Sequence, residues 1–211
     1  MNLITIICCE ENLLFFTVII KINVLFSNLW YNVIGGFMKK KQIVDLITSV
    51  FLIICGSVML LFPLFHFVKV KSVFLGVLGV YAILNLIKFL LTSKSKDYEG
   101  LFTSLASIIV FIIALKLNIS EVPWYLALCL LIWIILLSLI KLKKSDYYND
   151  KKNRMWIIKV ISLVLFILVG LLTTMNLYYE NDIQVLVLGY FFLIHGILEL
   201  FDPLIISLKI K

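Results

Sequence analysis

Charged side chains are scarce in this chain of 211 residues. Asp, Glu, Lys and Arg make up 15% of it, whereas 63% of the residues are hydrophobic and the mean hydropathy is +1.13. Soluble domains average about 25% charged and about 45–50% apolar residues. A soluble chain of this length has too much surface for its volume to bury so many apolar side chains. The scarcity of charge therefore excludes a soluble globular protein and indicates a membrane protein.

Motifs for nucleotide, zinc or nucleophilic chemistry are also missing. The sequence contains no P-loop and no GxGxxG, HExxH or GxSxG pattern, the motifs that position phosphates, zinc or a catalytic serine. Its four cysteines show no CxxC or Cys/His spacing, since Cys8 and Cys9 are adjacent and Cys55 and Cys129 lie inside apolar runs. We therefore expect no enzymatic activity, no cofactor and no metal site.

Six apolar segments are long enough to cross a bilayer, which takes about 20 residues. The predicted spans are at about 42–62, 72–91, 101–117, 124–141, 155–174 and 184–206, with polar or turn-forming stretches between them. Each span must be helical, because lipid cannot satisfy the backbone groups of an isolated strand. The sequence thus predicts an all-α, polytopic transmembrane helical bundle within residues 38–211, with the lipid bilayer as its partner.

The distribution of basic residues predicts the orientation. The net charge of +7 does not indicate a nucleic-acid partner, because Lys and Arg cluster in short segments between the apolar runs. Fourteen of them fall on one side of the membrane, whereas Lys69, Lys71 and Lys116 fall on the other. Basic loops stay in the cytoplasm. We therefore expect a multi-pass plasma-membrane protein with both termini in the cytoplasm, provided that translation starts at Met38.

Residues 1–37 are a doubtful extension with two interpretations. The stretch 12–37 is apolar enough for a seventh span, but Lys21 in its middle would cost about 2.5–3.5 kcal/mol on insertion scales. Alternatively translation begins at Met38, since the codons for Ile34-Gly35-Gly36 can contain a ribosome-binding sequence. A start at Met38 would give a basic tail that leads directly into the first span, and this interpretation is slightly favoured.

The ends of the even-numbered spans resemble one another. The similar segments are 82–88, 135–141 and 196–202. Each carries one polar residue at the same place, and these residues are Asn85, Ser138 and Glu199. A shift of 114 residues relates the first segment to the third, and it also carries Gly56 onto Gly170. The pattern predicts three tandem helical hairpins, related as direct repeats about an axis along the membrane normal. The predicted hairpins are about 42–91, 101–141 and 155–206.

The same shift pairs residues of opposite charge, Asp45 with Lys159 and Lys88 with Asp202. The first helix of each outer hairpin begins on the side where the second one ends. Asp45 is therefore expected to meet Lys88, and Lys159 to meet Asp202, at the cytoplasmic interface. Intramembrane charges often form an ion or proton relay, whereas long side chains near helix ends can reach the interface at little cost. The position of these residues near helix ends favours the second interpretation.

The best candidates for a site within the membrane are His195 and Glu199, one turn apart on the last span, with Asn85 and Ser138 as the repeat equivalents of Glu199. As a functional set they would bind a proton or a cation, since His titrates near neutral pH. As a structural set they would form interhelical hydrogen bonds, worth about 0.6 kcal/mol on average in membrane proteins. The structural interpretation is favoured.

Several segments carry a family resemblance. The segment 54–63, which includes Gly56 and ends at Pro63, is similar to the Gly-to-Pro end of a first helix in the HdeD-like acid-resistance membrane protein family. The segments 74–79 and 189–198 look like that family's Gly-containing second helices. The resemblance covers about residues 42–206. It implies a plasma-membrane protein that is linked to acid stress or has an unknown role, with no established catalytic residues. The corresponding hypothesis is a non-enzymatic protein in acid or envelope stress, acting through assembly with itself or with other membrane proteins.

The alternative function is a small transporter or channel, in which the polar residues of the three hairpins line a path. A water-accessible cavity shared by Asn85, Ser138 and Glu199 would favour transport, whereas dry helix contacts at these positions would favour the structural role. No transported solute is indicated by the sequence.

Overall fold

The computed structural model describes residues 40–61, 70–92, 98–117, 122–152, 155–177 and 181–208. Within these ranges the protein is all-helical, with six helices. They are α1 (Lys40–Leu61), α2 (Val70–Thr92), α3 (Glu99–Lys116), α4 (Pro123–Asp150), α5 (Met155–Asn176) and α6 (Asn181–Leu208). All six are long and apolar enough to cross a membrane, so the predicted all-α transmembrane fold class is confirmed. Residues 1–37, for which two interpretations were given, lie outside the described part.

One predicted boundary is wrong. The polar stretch 141–154 was expected to be a connection, but α4 continues through it as far as Asp150. At 1.5 Å per residue its 28 residues span about 42 Å, well beyond a hydrocarbon core of about 30 Å. Polar residues such as Lys and Tyr can continue a helix in water. The Lys151 ammonium donates a hydrogen bond to the Tyr147 hydroxyl one turn away. Lys152, with φ at 51°, then turns the chain.

The helices form a closed antiparallel arrangement. Each helix contacts the next one along the chain, and α6 packs against α1, which is the most extensive contact between helices. The contacts α2/α3 and α4/α5 are the next most extensive. The closest packing therefore joins helices of different predicted hairpins, and the tandem-repeat interpretation stays a prediction.

Glycines permit the closest of these approaches. A Cβ on Gly56 of α1 would lie 2.4 Å from the backbone nitrogen of Leu193 on α6, and one on Gly196 would lie 2.8 Å from the carbonyl oxygen of Ser49. Between α4 and α5, a Cβ on Gly170 would lie 2.6 Å from the Ile134 side chain. Small residues allow backbones in a membrane to approach closely, which increases the van der Waals contact between helices.

Large side chains fill the middle of the bundle. Among the most completely buried are Trp133, Phe51, Phe74, Phe166, Phe191 and Phe192. The outer face carries exposed Leu and Ile, including Ile83, Leu90, Ile109 and Leu172. This exposed apolar surface suits contact with lipid. At one end of the bundle, the first residues of α1, α3 and α5 meet the last turns of α2, α4 and α6, and we call this the charged end.

Candidate functional site

A pocket lies at the charged end, between helices α2 to α6. It encloses about 520 Å³ of empty space, part of it open to the surroundings. Its described charged lining consists of Lys88, Glu99, Lys141, Lys144, Lys159 and Glu199. Its neutral polar lining consists of Tyr81, Asn85, Thr103 and Ser162, and Leu137, Ile140 and Leu198 complete it. We call this cavity the lysine pocket.

The Glu99 carboxylate is the centre of the ion-pair network. Lys41 lies 3.1 Å, Lys88 3.2 Å and Lys144 2.6 Å from its oxygens. These three ammonium groups come from α1, α2 and α4. Glu99 is the first residue of α3, where the helix dipole favours a negative charge. One carboxylate thus connects four helices at the charged end.

The neighbouring glycine positions this carboxylate. A Cβ on Gly100 would lie 2.6 Å from the carbonyl oxygen of Asn85 and 2.9 Å from the amide nitrogen of Phe89. The beginning of α3 therefore lies directly against the last turns of α2. That approach brings Glu99 within reach of Lys88. The hydroxyl of Thr103 donates to the carbonyl oxygen of Glu99 at 2.9 Å.

The predicted charge pairs have different outcomes. The structure brings Lys88 Nζ to 2.6 Å from Asp45 Oδ1, with the lysine side chain 5% exposed. Lys159 is also buried, and its Nζ lies 5.9 Å from the centre of the Tyr148 ring. The side chain of Asp202 lies outside the described part of the structure, so the pairing of Lys159 with Asp202 stays a prediction.

His195 and Glu199 share a helix face but do not form a close pair. The distance from His195 Nε2 to Glu199 Oε1 is 4.0 Å, too long for a hydrogen bond. Glu199 instead accepts a bond of 2.5 Å from Lys141 Nζ on α4. His195 is buried, and neither ring nitrogen has a hydrogen-bond partner among the described residues.

Aromatic rings surround His195. The centres of the four nearest described rings lie between 4.7 and 5.9 Å from its own, and they belong to Phe166, Trp133, Phe191 and Tyr81. The Trp133 indole donates to Ser107 Oγ on α3 at 3.1 Å. We call these five rings with Phe192, which also packs on Trp133, the aromatic plug. Among the described residues, the buried rings of the plug pack directly beyond the lysine pocket, between it and the other end of the bundle.

Within the described helices, no interhelical hydrogen bond is seen for Asn85 or Ser138. Asn85 Nδ2 donates to the carbonyl oxygen of Tyr81 in its own helix at 2.9 Å, and Asn85 lines the lysine pocket together with Glu199. Ser138 does not belong to the described lining, and its buried Oγ has no hydrogen-bond partner among the described residues. The pocket-facing residues of α4 are 137, 140, 141 and 144, a stripe one helix face wide. Ser138 lies to the side of that stripe.

Sequence reasoning missed Glu99, Lys141 and Lys144 as members of the site. Lys141 and Lys144 were counted as residues that orient the protein, and Glu99 stood in a polar stretch between spans. One available signal was the spacing of the two lysines, because residues three apart share a helix face. No pattern in the sequence pointed to Glu99.

Comparisons with known proteins add no assignment. No protein-family model matches the chain, and no curated protein or solved structure matches it.

Proposed function

We propose that this chain is a non-enzymatic, multi-pass plasma-membrane protein that acts in acid or envelope stress, the role implied by its resemblance to the HdeD-like family. The six spanning helices make it an integral membrane protein. The choice of membrane, the cytoplasmic position of the charged end and the stress role are part of the proposal. The observation that supports it best is the Glu99 carboxylate shared by three lysines.

Acid can change the charge of the Glu99 carboxylate and so weaken its ion pairs. A carboxylate attracts an ammonium group while it is ionised, and protonation removes its charge. Protonation of Glu99 would leave Lys41 and Lys144 without this partner, whereas Lys88 would keep Asp45 at 2.6 Å. Like charges that remain close in a partly buried site repel one another. The three ammonium groups favour the ionised carboxylate, so only strong acid is expected to protonate Glu99. Strong acidification is then expected to loosen α1 and α4 from α3 at the charged end, a change of shape that other membrane proteins or a second copy of the chain can recognise.

A deletion strain tests this proposal. We expect the strain to survive an acid challenge less well than its parent, and the wild-type gene to restore survival. Glu99→Gln, which keeps the shape and removes the charge, is expected to fail to restore it. Asp146→Asn is the matched control, because Asp146 is an exposed acid on α4. Protein levels are compared by immunoblot. Equal acid survival of the deletion strain and its parent would overturn the stress role.

A small transporter is the second candidate, favoured by one observation. Asn85 and Glu199, which the repeat pattern made equivalent, both line the lysine pocket. Transport would require the aromatic plug to move, since Trp133 and His195 are buried between the pocket and the other end. Flux of ions across proteoliposomes that contain the purified protein, lost in Glu199→Gln, would favour this candidate. Loss of acid survival with unchanged flux would exclude it.

A further inference from the structure

His195 is a titratable residue in the apolar interior of the bundle. It is 1% exposed, and neither of its ring nitrogens has a hydrogen-bond partner among the described residues. Burial of a polar group without a hydrogen bond destabilises a fold. A phenylalanine would fill the same place among the aromatic rings without leaving polar atoms unsatisfied. Packing alone therefore does not account for a histidine at this position.

The Glu199 carboxylate connects His195 to the lysine pocket. Its Oε1 atom lies 4.0 Å from His195 Nε2 and 2.5 Å from Lys141 Nζ. The two nitrogens thus approach the same oxygen, the imidazole from within α6 and the ammonium from α4. Glu199 and Lys141 both line the lysine pocket, which is partly open to the surroundings. A proton from solvent can therefore reach His195 by way of the pocket.

We propose that His195 is a proton-binding site, and that its protonation transfers Glu199 from Lys141 to the imidazolium. A neutral imidazole has one N–H for its two nitrogens, whereas the protonated ring donates from both and carries a positive charge. The incoming proton binds the nitrogen that still has a lone pair. The imidazolium then competes with the Lys141 ammonium for Oε1. A movement of about 1 Å brings Nε2 within hydrogen-bond distance of that oxygen.

This exchange of partners changes how the helices are connected. The bond from Lys141 to Glu199 joins α4 to α6, which are not neighbours in the closed arrangement, whereas a bond from His195 to Glu199 stays within α6. The Phe166 ring lies beside both cations, with its centre 5.2 Å from Lys141 Nζ and 4.7 Å from the centre of the imidazole. Protonation of His195 is therefore expected to separate α4 from α6 where the lysine pocket meets the aromatic plug.

The groups around His195 decide how readily the proton binds. Among the described residues, those that can carry charge and face the ring are Tyr81 of α2, Lys141 of α4 and Glu199 of α6 itself. On the remaining helices, the charged groups at the pocket are Asp45 of α1 through its pair with Lys88, Glu99 of α3 and Lys159 of α5. Burial and the Lys141 ammonium oppose a positive charge on the ring, whereas the Glu199 carboxylate and the aromatic faces favour it. Removal of either charged neighbour should shift the titration, and the two shifts should have opposite signs.

Magnetic resonance of the purified full-length chain tests the proton site. The sequence has two histidines, so His66→Gln leaves His195 as the sole source of an imidazole signal. With isotope-labelled histidine in nanodiscs, the shifts of the ring nitrogens report protonation as the pH is lowered to the limit of the folded state. Glu199→Gln is expected to lower the midpoint by about 1–2 pH units, and Lys141→Gln to raise it by a similar amount. Lys143→Gln is the matched control, because Lys143 is an exposed lysine two residues from Lys141, and it should leave the midpoint unchanged.

Two results of this titration overturn the proposal. One is a ring that stays neutral over the whole pH range in which the protein is folded. The other is a midpoint that Glu199→Gln and Lys141→Gln move in the same direction or do not move. The inference goes beyond the stress role proposed above and does not depend on it, because the purified chain can bind the proton whether or not a deletion strain survives acid.

The exchange of partners is tested by the coupling between Lys141→Gln and Glu199→Gln, obtained from the single and double variants by equilibrium unfolding. This coupling is expected to fall by about half or more between neutral pH and a pH at which His195 is protonated. In His195→Phe, which keeps an aromatic ring and binds no proton, it should be the same at both pH values. An unchanged coupling in the chain with His195, or an equal fall in His195→Phe, would overturn the exchange. His195→Gln provides the comparison if His195→Phe does not fold.

Discussion

The shared Glu99 carboxylate gives the most direct test of how the charged end is held together. Glu99→Gln keeps the shape of the side chain and removes its charge. Lys41 at 3.1 Å and Lys144 at 2.6 Å would each lose the ion pair with Glu99, whereas Lys88 would retain Asp45 at 2.6 Å. The loss should therefore come mainly from the contacts that Glu99 makes with α1 and α4.

The size of the effect follows from the exposure of the partners. Breaking a fully buried ion pair costs about 3–5 kcal/mol, whereas an exposed pair contributes about 0–1 kcal/mol. The side chains of Glu99 and Lys144 are 18% and 17% exposed, and that of Lys41 is 30% exposed. The pair with Lys144 is thus nearer the buried limit, and the pair with Lys41 lies between the two limits. We expect a total loss of about 2–4 kcal/mol of unfolding free energy.

The assay is equilibrium unfolding of the purified protein in a mild detergent, with Asp146→Asn as the control for loss of an exposed acid. The double variant Glu99→Gln/Lys144→Gln should recover part of the loss, because it also removes the ammonium that loses its ion pair with Glu99 in the single variant. A loss of less than about 0.5 kcal/mol in Glu99→Gln, the range of ordinary surface substitutions, would refute this account of the network.

Three further predictions concern packing and pairing in the bundle, each measured by the same unfolding assay. Gly56→Ala should cost about 1–3 kcal/mol of unfolding free energy by overpacking, because the new Cβ would lie 2.4 Å from a backbone atom of α6. Gly79→Ala, where the nearest atom is 3.6 Å away, should be neutral. Equal effects of the two variants would contradict the close approach of α1 and α6. Lys141→Gln should cost about 1–3 kcal/mol and the double variant with Glu199→Gln should recover about half, while a simple sum would show that the two residues do not interact. Trp133→Phe should cost about 0.6 kcal/mol through its lost interhelical hydrogen bond, and no loss would show that this bond contributes nothing.

The positions of the helices could be predicted because lipid imposes a simple requirement. A segment that crosses the hydrocarbon core must be apolar over about 20 residues and must satisfy its own backbone. The end of α4 could not be predicted in this way. Hydropathy indicates where a chain leaves the hydrocarbon core, but it does not indicate where the helix ends. The helix α4 continues beyond its apolar segment as far as Asp150. The same reasoning explains why the other five helices agree with the expected spans to within a few residues.

The candidate site could be predicted only in part. The meeting of Asp45 and Lys88 followed from a hairpin whose first helix begins where its second one ends. The role of Glu99 depends on contact with Lys144, 45 residues away in the chain, and on the close approach of α3 to α2. Such contacts depend on the rotation of each helix about its axis. That rotation is set by packing, and the weakly amphipathic pattern of a membrane span specifies it poorly.

The packing of the helices explains how lysines that set the orientation of the protein in the membrane can also line a common pocket. The three closest interfaces, α1/α6, α2/α3 and α4/α5, all join different predicted hairpins, and each has a glycine where the helices meet: Gly196, Gly100 and Gly170 respectively. If the hairpins are direct repeats, their like ends must converge on one side of the membrane. Every hairpin then contributes its basic end to the same place. Glu99 and Glu199 offset part of this accumulated charge within the described lining.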